Sequence, residues 1–317
     1  MPDIICLGEA LVDMVCTTPG LNLVQAPEFS KAAGGAPTNV AAGCALLGAS
    51  SGLIAKVGKD AFGEYLRQSL WDCGVDLGQF LLTPTHATQL AFVALDELGR
   101  PDFAFHVKQS ADQMLEKRDL QPDLIAAGEI FHFGTITMIN EPARSATLEA
   151  LRLAQDQGLL ISLDPNLRPP LWPSLDLARE VMTDLIAECD FLKVSEQEMT
   201  FLTGLEDLYS GLQALAEMGP ELVAITRGPE GCAVLAPAGV LELPACQVPV
   251  LDTTGCGDAF VAACLVCFLE SHEDIADMSL EELEEIFRFA NAAAALTATG
   301  AGAIPTQPPP DQVQEQV

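Results

Sequence analysis

The stretch LDTTGCGDAFVAACLVCFLE, residues 251–270, opens on hydroxyls and glycines and ends as an almost unbroken apolar run. Gly255 and Gly257 let the backbone turn tightly and admit a ligand close to the main chain. The apolar run reads as a helix whose free N–H groups aim back at that turn, which makes the turn an anion site. Asp258 falls in the first helical turn, where a carboxylate suits the helix dipole. A capped helix start alone accounts for these residues. A second account is phosphoryl transfer, in which the amides hold charge on the moving group and the acid takes the proton of an attacking hydroxyl.

Outward from this stretch, β-rich runs alternate with amphipathic helical ones. DIICLGEAL (3–11), SGLIAKVG (51–58), EIFHFGTI (129–136), LLISLDPN (159–166), DFLKVS (190–195) and ELVAITRG (221–228) read as strands. PTNVAAGCALLG (37–48) reads as a helix with Pro37 near its start and Gly48 past its end. DAFGEYLRQSLWDCG (60–74) has Asp60 as N-cap and Gly74 as stop. Further helices read at 143–158, 176–189, 196–204, 257–270 and 279–300. This rhythm predicts an α/β fold, a doubly wound, mostly parallel sheet flanked by helices. It breaks at ATQLAFVALDELGRPDFAFHV (87–107), two strands around a glycine-containing turn with no helix between them. With the extended segment after Asp13, this hairpin predicts a small β-strand lid, from about 11–32 and 86–108. One domain over 1–310 and a frayed, Pro- and Gln-rich tail at 311–317 complete the expectation.

Composition narrows the function. The chain has 317 residues and a formal net charge of −30, with 45 acids against 15 bases. Nucleic acid is a poor partner for such a surface, since phosphate backbones need clustered Lys and Arg. The longest apolar runs fall short of the roughly 20 residues a bilayer requires, so no membrane partner is expected. The N-terminal residues show no basic leader, and a cytoplasmic location is the default. The 10 cysteines are scattered through apolar segments, as in a reduced protein. Cys264 and Cys267 read as one helix face, because no further ligands accompany them.

LDTTGCGDAFVAACL closely resembles the signature of the phosphofructokinase-B, or ribokinase-like, carbohydrate kinases, with Cys256 where that family has Ala. AAGGAPTNVAAGCALLG (32–48) resembles the family's N-terminal Gly-Gly motif, and the likeness runs nearly the whole chain in order. The resemblance implies a ribokinase-like fold with a lid, ATP as donor, Mg²⁺ as cofactor, and in some relatives K⁺. It implies Asp258 as base and Gly255, Cys256 and Gly257 as anion hole. Asp13, Gly34, Gly35 and Asn39 match positions that bind sugar hydroxyls. Arg168, in LDPNLRPPLW, matches a phosphate contact of the fructokinase-like branch. Lys193, Thr226, Gly228 and Gly231 fall near the nucleotide, and Asn291 beside its adenine. Glu198 matches a residue that organises Mg²⁺ through water, but Ser195 stands where the family has Asn, and Ser195 with Glu198 also reads as a capping box. Asp252 and Thr254 match a monovalent-cation turn or simply bond each other. The lid implies a homodimer.

Among acceptors, GAIP, DPNLRPPLW and GGAPTNVA resemble fructokinases most. Relatives acting on 2-keto-3-deoxygluconate place an Arg in the lid. Here Val107 stands at that place, and Lys108 faces away if the strand continues. A neutral sugar follows, with fructose first. Ribosides such as aminoimidazole riboside, 2-keto-3-deoxygluconate, and silent sugar binding are the alternatives. Cys256, at a helix N-terminus, is either a small packing residue or a thiol of lowered pKa.

Overall fold

The computed structural model describes the whole chain except Pro19 and residues 96–100, so the turn expected around Gly99 lies outside the described residues. In chain order the elements are β1 (Ile4–Leu7), β2 (Leu11–Cys16), β3 (Phe29–Gly34), α1 (Ala36–Leu46), β4 (Ser51–Gly58), α2 (Ala61–Asp72), β5 (Phe80–Thr83), β6 (Gln89–Leu95) and β7 (Pro101–Phe105). There follow α3 (Pro122–Ile125), β8 (Ile130–Phe133), α4 (Ala143–Asp156), β9 (Leu160–Leu163), α5 (Leu175–Ile186), β10 (Phe191–Ser195), α6 (Glu196–Thr203), α7 (Leu208–Ala216) and β11 (Leu222–Thr226). The chain closes with β12 (Cys232–Ala236), β13 (Gly239–Leu243), α8 (Cys256–Ser271), α9 (Leu280–Thr297) and α10 (Pro310–Gln316).

Among the described residues the main sheet has nine strands in the order β13-β12-β11-β10-β9-β8-β1-β4-β5. All its neighbours pair parallel except β11–β12 and β12–β13. Both faces are covered, because alternate side chains enter opposite cores. Ile4 and Cys6 pack with α1, α8 and α9, while Ile5 and Leu7 pack with α4, α5 and α7. The sequence shows α8 as a continuous apolar run because α8 is enclosed on every side. Its residues Ala259 to Val266 are all buried, and Gly43 of α1 would bring an added Cβ within 2.7 Å of Ala262 Cβ. The chain leaves β1 in one direction to β4 and β5 and in the other to β8, β9 and β10. That reversal is where open α/β sheets bind ligands, at the carboxyl ends of their strands.

A second sheet, β3-β2-β6-β7, stands apart from the first. Its strands fall on the segments expected for a lid. Asp60 fastens its base: the carboxylate caps α2 at Phe62 and Gly63 and also accepts from the Thr88 N–H at 2.9 Å and hydroxyl at 2.8 Å.

The sequence reading missed the edge strand β5 and the short helix α3. α7 and the β12–β13 hairpin were not foreseen, and the tail at 311–317 is not frayed. It forms α10, with Pro310 in the first turn, where a missing N–H costs nothing. Val313 is fully buried against the α8–α9 layer. Val313→Ala is therefore expected to cost about 2 kcal/mol, read as a lower urea midpoint at unchanged slope; an unchanged midpoint would mean that the tail does not dock.

Candidate active site

The N-termini of α1 and α8 lie side by side over the carboxyl ends of β1, β9 and β10, beneath the lid. They enclose a cavity of about 350 Å³ lined by Glu9, Asp13, Gly35, Asn39, Arg168, Lys193, Asp252, Thr254, Gly255, Gly257 and Asp258, with Leu11, Phe103 and Phe105 on the lid side. Two expected motifs 219 residues apart meet directly, the Asn39 amide donating to Asp258 Oδ2 at 2.7 Å. Asn39 Oδ1 has no partner among the described residues. Gly34 leaves room for Asp13 Oδ2, into which a Cβ would run, and Gly35, at φ +108°, is pressed against the Glu9 carbonyl.

At the start of α8, Gly255 takes φ +81°. The N–H groups of Gly257 and Asp258 find no backbone carbonyl. A Cβ on Gly257 would stand 2.8 Å from Lys193 Nζ. The turn thus combines two free amides with an ammonium group, a ready anion hole. Lys193 is itself buried and donates to Asp164 Oδ2 at 2.9 Å. Burial would lower its pKa, but Asp164, Glu198 and Asp258 outweigh this and hold it raised, so the ammonium stays charged.

The carboxyls shift the other way. Burial, reinforced by Asp164, lifts Asp258 to about 6, while Asn39, Lys193 and Arg168 restrain the rise. Asp13, desolvated under the lid, rises to about 7. Glu9 rises to about 8, chiefly by burial, although its Oε1 accepts from the Ala36 N–H at 2.8 Å. Of the three, Asp258 is raised least, being held down by Asn39, Lys193 and Arg168, and Glu9 is raised most. Glu9 and Asp164 were missed in the sequence. Asp164 stood in the quoted Asp-Pro-Asn-Leu-Arg run, whereas nothing local marked Glu9.

Arg168 lies in this cavity, its guanidinium 5.8 Å from the centre of the Phe103 ring. It draws down the pKa of Asp13, Glu9 and Asp258. Glu198 is occupied: Oε2 accepts from the Ser195 N–H and hydroxyl at 2.8 and 2.7 Å, and Oε1 from the Leu167 N–H at 2.7 Å. It caps α6 and pins the loop that carries Arg168. Both Asp252 oxygens are likewise engaged, one by Thr254 and one by the Gly302 N–H at 2.9 Å. Thr226, Gly228, Gly231 and Asn291 lie outside the cavity. Thr226 ends β11, next to Lys193's strand. An added Cβ at Gly228 meets nothing within 4 Å, whereas one at Gly231 would strike the Leu243 carbonyl. Asn291 donates to the Pro244 carbonyl at 3.3 Å, tying α9 to the β13 end.

Two expectations are corrected. Strand β7 ends at Phe105, so Lys108 does not face away from Val107. The Gln89 amide brackets the Val107 backbone at 2.9 and 3.0 Å, and both residues line one neighbouring cavity. The Cys256 thiol is pushed up to about 12, first by burial and then by Asp252 and Asp258, so of its two readings the thiol of lowered pKa is set aside.

The description "pfkB family carbohydrate kinase" matches residues 1–310. The chain belongs to this family. It is 44% identical over 316 residues to "Probable fructokinase-6, chloroplastic" of Arabidopsis thaliana, covering 99% of this chain and 82% of that one. The crystal structure of a Xylella fastidiosa fructokinase with bound ATP superposes with a TM-score of 0.90 at 30% identity, covering 100% of this chain and 98% of the other. A double mutant of the Vibrio cholerae O395 fructokinase, bound to fructose, ADP and potassium, gives 0.88 at 32% identity, covering 100% and 98%. The α/β architecture is that of these ribokinase-like sugar kinases. Among the described residues no helix is long and apolar enough to cross a membrane.

With its pKa so high, Cys256 is expected to react with iodoacetamide at pH 7.5 no faster than half-buried Cys73. Peptide mapping after limited alkylation checks this, and preferential labelling of Cys256 would show that the helix dipole prevails.

Proposed function

We propose that this carbohydrate kinase transfers the γ-phosphoryl group of ATP to the 6-hydroxyl of fructose. One observation carries the reading: the Asp258 carboxyl sits in the same turn as two free N–H groups and beside a buried ammonium, facing a cavity of monosaccharide size lined by hydrogen-bonding groups. The kinship with fructokinases supports fructose as acceptor.

Asp13 and Asn39 hold sugar hydroxyls, with Gly34 and Gly35 allowing close approach; the unpartnered Asn39 Oδ1 fits that role. Asp258 takes the proton of the acceptor hydroxyl. A base of pKa about 6 is ionised at neutral pH, and its weakness suits a loose transition state in which the nucleophile is little deprotonated. The Gly257 and Asp258 amides and Lys193 balance charge on the moving phosphoryl group, and Asp164 keeps Lys193 in place. Arg168 supplies the further cation at the phosphate. Thr226, Gly228 and Asn291 border the nucleotide, and Gly231 shapes the turn beside them.

Among the described residues no cluster of acids, His or Cys is arranged to hold a metal. Mg²⁺ binds largely through substrate phosphates and water. When bound with ATP, Mg²⁺ shields the phosphate charges. Glu198, whose oxygens already accept three hydrogen bonds, would meet it through water. The Asp252–Thr254 turn is our candidate for a potassium ion, and no step passes through it. The outer lid face, with Phe29 and Phe92 edge-to-face at 5.2 Å, supports pairing with a second lid. We place the enzyme in the cytoplasm.

Asp258→Asn is expected to lower kcat by about 10²–10⁴-fold while calorimetry still registers fructose binding; near-normal turnover would assign the base elsewhere. The kcat/KM for fructose should fall through about pH 6 as pH drops, because protonating Asp258 removes the base. A flat profile between pH 5 and 8 would contradict this. Gly34→Ala should raise the fructose KM more than tenfold with little change for ATP, because the new Cβ displaces Asp13.

A further inference from the structure

Helix α1 carries Asn39, yet its own sequence does not cap it. Its N-cap is Gly35, which offers no side-chain acceptor, and its first turn holds no acid. The loop between β1 and β2 supplies the cap instead. Glu9 Oε1 accepts from the Ala36 N–H at 2.8 Å, and the Glu9 carbonyl accepts from the Thr38 hydroxyl at 2.8 Å. The fit leaves no slack: an added Cβ at Gly35 would strike that carbonyl, and one at Gly8 would strike the Pro37 ring. Residues 35–38 are thus seated on residues 8 and 9.

Asn39 follows at once. Its N–H bonds the Gly35 carbonyl at 2.8 Å, and its side-chain amide reaches Asp258 at 2.7 Å. A displacement of the first turn by about 1 Å takes that amide out of hydrogen-bond reach. Glu9 is only 3% exposed and lines the acceptor cavity, although no step of phosphoryl transfer uses it.

We propose that Glu9 is a positioning residue: its carboxyl and carbonyl seat the first turn of α1 and, through Asn39, hold Asp258 as the base. The inference deepens the kinase reading above and rests on it for the role of Asp258; the seating of α1 stands apart from that role.

The direction of one shift separates this role from two others. Loss of the seat withdraws the Asn39 donor and raises the pKa of Asp258. If the charge of Glu9 were the active feature, its deletion would relieve a nearby negative charge and lower that pKa. If Glu9 held the sugar itself, its loss would raise the fructose KM and leave the pKa alone. The other groups facing Asp258 are Asp164 at the end of β9, Arg168 in the loop beyond it, Lys193 of β10 and Asp13 of β2. Glu9 itself faces Arg168 and Asp112.

The full chain is compared with Glu9→Ala, Glu9→Gln, Asn39→Ala and the Glu9→Ala/Asn39→Ala pair, each checked for folding by circular dichroism. Crystal structures read the seat directly. In Glu9→Ala the Asn39–Asp258 separation should exceed about 3.5 Å; in Glu9→Gln, which keeps an acceptor for the Ala36 N–H, it should stay near 2.7 Å. With Mg²⁺-ATP and fructose, Glu9→Ala should lower kcat by about 10- to 100-fold and move the acid limb of kcat/KM upward. Glu9→Gln should restore most of the rate and the position of the limb, and the pair should move the limb no further than Asn39→Ala does. Should Glu9→Ala not fold, Thr38→Val, which removes the other bond, should move the limb the same way by less. An Asn39–Asp258 bond intact in Glu9→Ala, a limb that moves down, a defect confined to KM, or no shift in a Thr38→Val that stands in for it overturns the proposal. A displaced α1 with the limb unmoved in both Glu9→Ala and Asn39→Ala would instead sink Asp258 as the base and leave the seat standing.

Discussion

The hydrogen bond from Asn39 to Asp258 joins the starts of α1 and α8 at the proposed reacting centre, and the rest of the cavity is arranged around it. It requires that α1 and α8 begin at the same place. Their close approach at Gly43 and Ala262 lets the two helices pack with their N-termini aligned. The apolar run of α8 fixes that helix between α1, α9 and the sheet, so Asp258 is placed by burial of the residues that follow it. A hydrogen bond to a charged acceptor is worth about 1.5–3 kcal/mol. Here it restrains the rise in the carboxyl's pKa that burial imposes.

A chain of net charge −30 has few cations to spend on phosphate. Two of them, Lys193 and Arg168, line the cavity. Lys193 is charged because Asp164, Glu198 and Asp258 together outweigh its desolvation, and Arg168 is held by the loop that Glu198 pins. Burial divides the acids: Asp258 ionises near 6, Asp13 near 7 and Glu9 near 8. Carboxyls in one cavity can thus serve one as base and others as neutral hydrogen-bonding groups.

The doubly wound sheet was legible because each strand–helix unit carries its own periodicity and its own stop signals, such as Asp60, Gly48 and Gly74. That Asp258, Asn39 and Gly35 belong to one cavity was legible because each sits in a short motif that needs those residues locally. Glu9, Asp164 and Asp112 acquire their character from burial between elements distant in sequence, which no local pattern records. The reading of Lys108 failed because a strand's end is set by its partner: the Gln89 side chain, in place of a further backbone pair, closes the lid sheet at Val107. Of the two readings of Cys256, the packing thiol stands and the thiol of lowered pKa gives way, because burial, reinforced by Asp252 and Asp258, raises the thiol's pKa. The tail failed because a proline run reads as disorder until Val313 is seen in the core.

The central claim is that the group whose ionisation governs catalysis is the Asp258 carboxyl, restrained by the Asn39 amide. The direct measurement is the pH dependence of fructose kcat/KM in Asn39→Ala beside the unchanged protein. Loss of the amide donor should move the acid limb upward by about one pH unit, whatever the loss in absolute rate. An acid limb that stays in place, or moves down, would show that another group is the base.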